Sequence, residues 1–125
     1  MQAPNRGVSS DGAPPMRETR TTLIIVEDPL ISKLVRAVLE KRGYAAILAT
    51  PVEAAKLLRA PESRIGALLT NAPAIFLEFA EKTRLLYLTG APDPLLAEAF
   101  RVCRVVRKPF IPSELAEAVG ELMAT

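Results

Sequence analysis

Short apolar runs alternate along the chain with segments whose apolar residues recur every three or four positions. The first run, residues 23–26, is continuous and rich in β-branched side chains, which is typical of a strand covered on both faces of a parallel sheet. Apolar residues at helical spacing follow from Leu30 to Leu39, and Gly43 is the expected end of that helix. The pattern therefore begins with a strand and a helix.

The same alternation continues through the middle of the chain. Further strands are predicted over residues 44–49, 65–70, 85–88 and 102–106. Thr50, Pro51 and Glu53 have the spacing of a capping box with a first-turn proline. A helix should therefore run from this point to about Arg59.

Two more helices are predicted in the last third of the chain. Asp93 and Pro94 are start signals for the first of them. Its inward side is predicted to consist of Leu95, Leu96, Ala99 and Phe100. The second begins at Pro112, although Ile111 takes the position where a capping Ser or Thr is expected.

Strands alternating with helices predict one doubly wound parallel α/β sheet, with helices on both faces and a ligand site at the carboxyl ends of the strands. The third crossover, between residues 71 and 84, is short. A helix over about residues 74–81 would span about 12 Å at 1.5 Å per residue. A five-residue strand spans about 17 Å, so we expect this crossover to be tight.

Composition is consistent with one globular unit, because half of the 125 residues are apolar. Residues 1–20 contain few large apolar side chains and are predicted to be a flexible tail, which leaves residues 21–125 as the domain. The N-terminus lacks the apolar centre of a signal peptide, and no run is long enough to cross a bilayer, so we expect a cytoplasmic protein. A net charge of +2 favours neither nucleic acid nor a membrane surface as partner.

The chain contains no histidine and one cysteine. Imidazole-based zinc sites, Ser-His or Cys-His catalysis and phosphohistidine chemistry are thereby excluded. Cys103 lies in an apolar segment and is expected to be a buried, inert thiol.

Polar side chains cluster where the predicted strands end. They are Glu27 and Asp28, Thr70 and Asn71, Thr89, and Lys108. Two adjacent carboxylates would suit a hard divalent cation such as Mg²⁺, and a hydroxyl with an ammonium would suit phosphoryl oxygens. The alternative is that the two carboxylates form a solvated strand end at which Asp28 caps the following helix.

The order of these segments resembles the receiver domain of bacterial two-component response regulators, the CheY-like superfamily. The resemblance rests on LIIVEDPLISKLVRAVLEKRGY, ALLTNAP, LLYLTG and VVRKPFIPSELAEAV, and it covers residues 22–123. It implies a flavodoxin-like, five-stranded parallel sheet in the order 2-1-3-4-5, here with a shortened third crossover helix.

The resemblance also implies roles for the clustered residues. Glu27 and Asp28 match the metal-binding acidic pair, and Thr89 and Lys108 match the hydroxyl and the ammonium that contact the phosphoryl group. The position of the phosphate-accepting aspartate is taken by Asn71, and an amide oxygen is a poor nucleophile. We therefore expect Mg²⁺ to bind at most weakly, and Lys108 to pair with Glu27 or Asp28.

One further departure agrees with a degenerate receiver. The family usually has an aromatic residue three positions before the lysine, where it reports phosphorylation, and Val105 stands there in this chain. The sequence thus predicts a pseudo-receiver that is not an enzyme and that acts by binding a protein, such as a histidine kinase, another regulator or an output protein.

The surface for such binding follows from the same resemblance, which also makes a homodimer conceivable. The residues of that face are Leu95, Phe100, Arg101, Arg104 and Arg107, and a merely solvated edge is the alternative. A second hypothesis keeps phosphotransfer, through Thr70 or through deamidation of Asn71 to aspartate. Nucleotide or flavin binding is disfavoured because no Gly-rich turn follows the first strand. DNA binding is not expected, since no helix-turn-helix follows.

Overall fold

Five parallel strands form one sheet in the order β2-β1-β3-β4-β5 in the computed structural model, which describes residues 21–61 and 63–125. The strands are β1 (Thr22–Val26), β2 (Ala45–Leu48), β3 (Ile65–Thr70), β4 (Arg84–Thr89) and β5 (Cys103–Arg107). The helices are α1 (Pro29–Lys41), α2 (Pro51–Arg59), a 3₁₀ helix (Pro73–Phe79), α3 (Pro94–Ala99) and α4 (Pro112–Ala124). The predicted flavodoxin-like order is confirmed, whereas the predicted tail lies outside the described residues.

Two hydrophobic cores cover the two faces of the sheet. Leu23 and Ile25 of β1 pack in the core formed with α1 and α4. Ile24 and Val26 pack in the opposite core, which includes residues of α2 and of the 3₁₀ helix. Because side chains alternate along a strand, a strand covered on both faces needs an unbroken apolar run, as β1 has.

Capping residues fix where the first helices begin. Asp28 Oδ1 accepts hydrogen bonds from Leu30 N and Ile31 N at 3.0 and 3.1 Å, so this carboxylate caps α1. The capping box of α2 is confirmed, because Glu53 N donates to Thr50 Oγ1 and Thr50 N donates to Glu53 Oε1.

The third crossover differs from the prediction of an α-helix over residues 74–81. It is the 3₁₀ helix Pro73–Phe79, interrupted at Phe76, which has φ −113° and ψ 21°. A 3₁₀ helix rises about 2.0 Å per residue against 1.5 Å in an α-helix, so the short connection covers more of the strand's length. Phe76 and Phe79 anchor the segment in the core beside α2.

Helix α3 also differs from its predicted packing. It has only six residues; Leu95 is 77% exposed and Ala99 is exposed as well, so neither lies on an inward side. Phe100 is the residue that enters the core, at 3% exposure. Cys103 is only partly buried, which corrects the expected full burial, and desolvation still raises the pKa of its thiol.

None of the helices in the described part of the chain is long and apolar enough to cross a membrane. The cytoplasmic location stays a prediction.

Candidate functional site at the carboxyl ends of the strands

An ion pair joins the end of β1 to the loop after β5. Lys108 Nζ lies 2.8 Å from Glu27 Oε2, and the side chain of Glu27 is fully buried, whereas that of Lys108 is 28% exposed. The two groups are not aligned as a hydrogen bond, so Glu27 Oε2 has no hydrogen-bond donor among the described residues. Lys108 N donates to Thr89 O at 2.9 Å, which ties the loop to the end of β4. The expected pairing of Lys108 with a carboxylate is therefore present, and Glu27 is the partner.

The second carboxylate of the acidic pair serves the backbone. Asp28 Oδ1 caps α1, and Asp28 N donates to Glu27 Oε1 at 3.0 Å. Ser32, which the sequence analysis did not single out, is 3% exposed, and its hydroxyl donates to Glu27 O at 3.1 Å. Its position, four residues after Asp28 and beside the apolar stripe of α1, is a signal that could have revealed it.

The end of β3 presents one exposed and one buried polar residue. Thr70 has no exposed surface, and its hydroxyl accepts a hydrogen bond from Ala72 N at 3.1 Å. Asn71 follows directly and is exposed. The solvent-facing position at this strand end is thus an amide.

Strands β4 and β5 contribute Thr89 and Val105. Thr89 Oγ1 accepts from Ala91 N at 3.1 Å, and Thr89 is partly buried. Val105 lies beside Tyr87 in the sheet and is 38% exposed. The aromatic ring in this part of the sheet belongs instead to the buried Tyr87, whose hydroxyl oxygen accepts from Asp93 N at 3.3 Å.

The donor set fits a divalent cation poorly. Glu27 is neutralised by Lys108, Asp28 caps a helix, and Asn71 brings no charge to the strand ends. No group of three His, Cys, Asp or Glu side chains in residues 21–61 and 63–125 is placed to hold a metal ion. Hard cations prefer several carboxylate oxygens, so this edge offers less charge than Mg²⁺ usually requires.

The predicted interaction residues are on the surface with one exception. Leu95, Arg101 and Arg107 are exposed, whereas Arg104 is partly buried. Phe100 lies in the core, so it does not belong to an exposed face; the short α3 ends at Ala99, and the next side chain turns under the helix.

No family model matches this sequence, and no curated protein matches it. Solved structures do. A response regulator from Thermotoga maritima is 22% identical with a TM-score of 0.70, over 85% of this chain and 99% of that one. Chemotaxis response regulator CheY4 of Vibrio cholerae is 21% identical with a TM-score of 0.69, over 83% of this chain and 99% of that one.

A third similar structure is the signal receiver domain of an HD domain-containing protein from Pseudomonas fluorescens Pf-5. It is 19% identical with a TM-score of 0.70, over 94% of this chain and 93% of that one. The chain has the receiver fold. At these identities the likeness is one of fold, and within the receiver fold the site must be judged from its own residues.

Within the receiver fold, the ion pair and the amide lie where ligands bind in open α/β sheets. Glu27, Asn71, Thr89 and Lys108 follow the carboxyl ends of four parallel strands, which meet at one edge. The sequence placed these side chains at that edge correctly. What the structure adds is that the carboxylate and the ammonium already neutralise each other.

Proposed function

We propose that this protein is a pseudo-receiver: a receiver-fold module of two-component signalling that acts by binding a protein partner, without an aspartate phosphorylation cycle and without enzymatic activity of its own. The observation that carries the proposal is the amide of Asn71, exposed at the end of β3. Phosphoryl transfer to a side chain needs an anionic or activated oxygen in line with phosphorus, and an amide oxygen supplies neither.

The ion pair supports the same proposal. An acceptor carboxylate at position 71 would add a third negative charge for Lys108 and a cation to balance. Without it, Lys108 lies 2.8 Å from the buried Glu27 carboxylate. A metal or a phosphoryl group would have to displace this contact, so we infer that Mg²⁺ binding is weak.

Phosphotransfer through Thr70 has little structural support. The hydroxyl has no exposed surface and accepts a hydrogen bond from Ala72 N, so a phosphodonor cannot reach it without local unfolding. Deamidation of Asn71 would create an aspartate at an exposed position. It is therefore the phosphotransfer route to test.

The proposal is tested by incubating the intact protein with Mg²⁺ and a small phosphodonor, or with beryllofluoride, and recording intact mass and amide spectra. We expect an unchanged mass and an unchanged spectrum, with a phosphorylatable receiver domain as the positive control. A phosphorylated wild-type chain would overturn the proposal. Spectra of fresh and aged samples separate deamidated from intact Asn71, so that an aspartate formed in the tube is not mistaken for native activity.

A surface around β5 is the site we propose for the partner. We call it the β5 face; it consists of Leu95, Arg101, Arg104, Val105 and Arg107, together with Glu114, Glu117 and Glu121 of α4. Strand β5 is at the end of the sheet, so its outer edge is unpaired within the described residues. The basic and acidic side chains form separate rows, with Arg104 Nε 3.7 Å from Glu121 Oε1 where the rows meet.

Separate rows of opposite charge make the β5 face complementary to itself about a two-fold axis, so a second copy of the chain is one partner it suits. Light scattering after size exclusion at several concentrations tests this. We expect Arg107→Glu and Glu117→Arg each to weaken a dimer and the double variant to restore it. A monomer at every concentration would contradict the homodimer and leave another protein as the partner.

A further inference from the structure

A cleft of about 500 Å³ opens beside Asn71, between the segments that follow β1, β2 and β3. Much of its wall is apolar, and the wall residues that matter for the argument are Val26, Leu48, Ala49, Ala72 and Ile75. Thr89 and Lys108 are not among its lining residues, so the cleft is separate from the positions that contact a phosphoryl group in receivers. Its volume lies in the range of about 300–1,000 Å³ typical of small-molecule sites.

The short third crossover contributes to the cleft. The 3₁₀ helix begins at Pro73, only three residues after β3 ends at Thr70, and Ile75 in its first turn is 54% exposed at the cleft wall. Val52, near the start of α2, is 66% exposed as well. Large apolar side chains exposed around a concave surface are a common mark of a binding site.

The charges of the cleft decide which ligand it suits. Glu27 and Glu53 are its charged lining residues, and neither lysine nor arginine lines it. The Glu27 side chain is fully buried, and its Oε2 has Lys108 as ion-pair partner but no hydrogen-bond donor among the described residues. Asn71 adds an amide oxygen. The cleft therefore offers acceptors and negative charge, which repel phosphate and carboxylate and attract a cation.

The place of the cleft in the fold agrees with a ligand site. Strand β1 lies between β2 and β3, so successive connections leave it in opposite directions along the sheet. Ligands of open α/β sheets bind in the crevice at such a point, outside the carboxyl ends of the strands. The cleft is lined from all three of these strand ends.

We propose that this cleft binds a small organic cation: an amine or amidine attached to an apolar body the size of one aromatic ring. The apolar body lies against Leu48, Ala49 and Ile75, and the cationic group is held by Glu53 and by the Asn71 oxygen, near the Glu27 carboxylate. This site is independent of the partner-binding proposal, since it needs neither the β5 face nor the absence of phosphorylation.

The experiment uses phenethylammonium as probe, with phenethyl alcohol and phenylacetate as neutral and anionic controls of similar shape. Each is titrated into the full chain while amide spectra are recorded, with a chelator present so that no metal contributes. We expect saturable shifts at residues 48–53 and 71–75, strongest for the ammonium and absent for phenylacetate. Equal binding of the anion, or shifts confined to other residues, would overturn the proposal.

Glu53→Gln is the informative variant, because the glutamine oxygen can still accept from Thr50 N and keep α2 capped. Losing the charge should weaken phenethylammonium binding about fivefold, since charge-assisted hydrogen bonds are stronger than neutral ones. Glu117→Gln on α4, outside the cleft, is the matched control and should bind like wild type. An unchanged affinity in Glu53→Gln would count against the site, whatever the phosphodonor experiment shows.

Discussion

The Lys108 ammonium is 2.8 Å from Oε2 of Glu27, a carboxylate whose side chain is fully buried. Lys108 itself keeps 28% of its side chain exposed, so the ammonium covers the carboxylate from the solvent side. The strand-end edge of this protein thus contains an internally balanced pair, where an active receiver would need charges available for a metal and a phosphoryl group. The contact makes a strong prediction about stability.

Lys108→Met should destabilise the protein by about 3 kcal/mol, because it leaves a buried carboxylate without its counter-charge. Methionine keeps much of the side-chain volume, so the loss reports the charge rather than a cavity. Urea unfolding followed by circular dichroism measures it, with Lys33→Met on the exposed surface of α1 as control.

The double variant Glu27→Gln with Lys108→Met separates the pair from its surroundings. If the two groups interact as the distance indicates, the double variant is more stable than the sum of the single losses predicts, by roughly 1 kcal/mol or more. Additive losses would show that Lys108 and Glu27 act independently and would contradict the ion pair.

Asn71→Asp should strengthen Mg²⁺ binding. It brings a third carboxylate to an edge that already has Glu27 and Asp28, so the apo variant gains repulsion and the cation gains a ligand. We expect Mg²⁺ to raise the melting temperature of the variant and leave wild type nearly unchanged, since a ligand at ten times its Kd adds about 1.4 kcal/mol.

The wild-type titration is the control for that prediction. Amide shifts of residues 27, 28 and 71 report binding directly, and a submillimolar affinity of wild type for Mg²⁺ would contradict the proposed weak site. If Asn71→Asp also becomes phosphorylated in the presence of Mg²⁺, the amide alone separates this chain from a competent receiver. If it binds Mg²⁺ but stays unmodified, the shortened crossover has altered the pocket as well.

The contact between α2 and the 3₁₀ helix should make stability depend on pH at the acidic end. Arg59 donates to both carboxylate oxygens of Glu78, at 2.9 and 3.1 Å, and this hydrogen bonding, with a smaller charge effect, lowers the pKa of Glu78. A lowered folded-state pKa means that the stabilisation is present above the unfolded-state pKa and is lost as pH falls through the folded-state value.

Glu78→Gln should therefore melt below wild type at neutral pH, and the difference should shrink below about pH 4.3, the ordinary glutamate pKa. Thermal scans from neutral pH downward measure it, and added salt should reduce the gap because the pair is exposed. Glu117→Gln is the control. A gap that stays constant with pH would mean that the pair does not contribute.

Strand positions could be predicted because they depend on a local pattern. In β3 the run Ala67, Leu68 and Leu69 is wholly buried, so an unbroken apolar sequence identifies the strand without knowledge of its neighbours. The capping box at Thr50 is local in the same way. The pairing of Lys108 was predictable from charge balance, but the choice of Glu27 was not, because it depends on Asp28 being taken up by the cap of α1.

Other features could not be read from the sequence because they depend on distances between elements. The Pro73–Phe79 segment is a 3₁₀ helix since few residues must return the chain along β3, and no propensity encodes that constraint. In α3, Leu95 and Phe100 are both apolar and suit either side of a helix of less than two turns. Which one is buried is decided by how the chain enters β5.

Ile111 gives the last prediction, since the cap of α4 is incomplete. Glu114 Oε1 already accepts from Ile111 N at 3.0 Å, but the isoleucine side chain cannot return a hydrogen bond and is 58% exposed. Ile111→Thr keeps the β-branched shape and supplies the missing hydroxyl, so it should stabilise the protein by about 1 kcal/mol. Urea unfolding measures this gain.

Thr50→Ala is the converse control, because it removes a complete capping box and should cost about 1 kcal/mol. If Ile111→Thr is instead neutral or destabilising, the exposed isoleucine contributes packing that outweighs the cap. If the gain is found, Ile111 is a position where stability has been given up for an exposed apolar side chain three residues from Lys108. That trade is expected where a surface contacts another molecule, so the stabilised variant should then be compared with wild type in the light-scattering experiment.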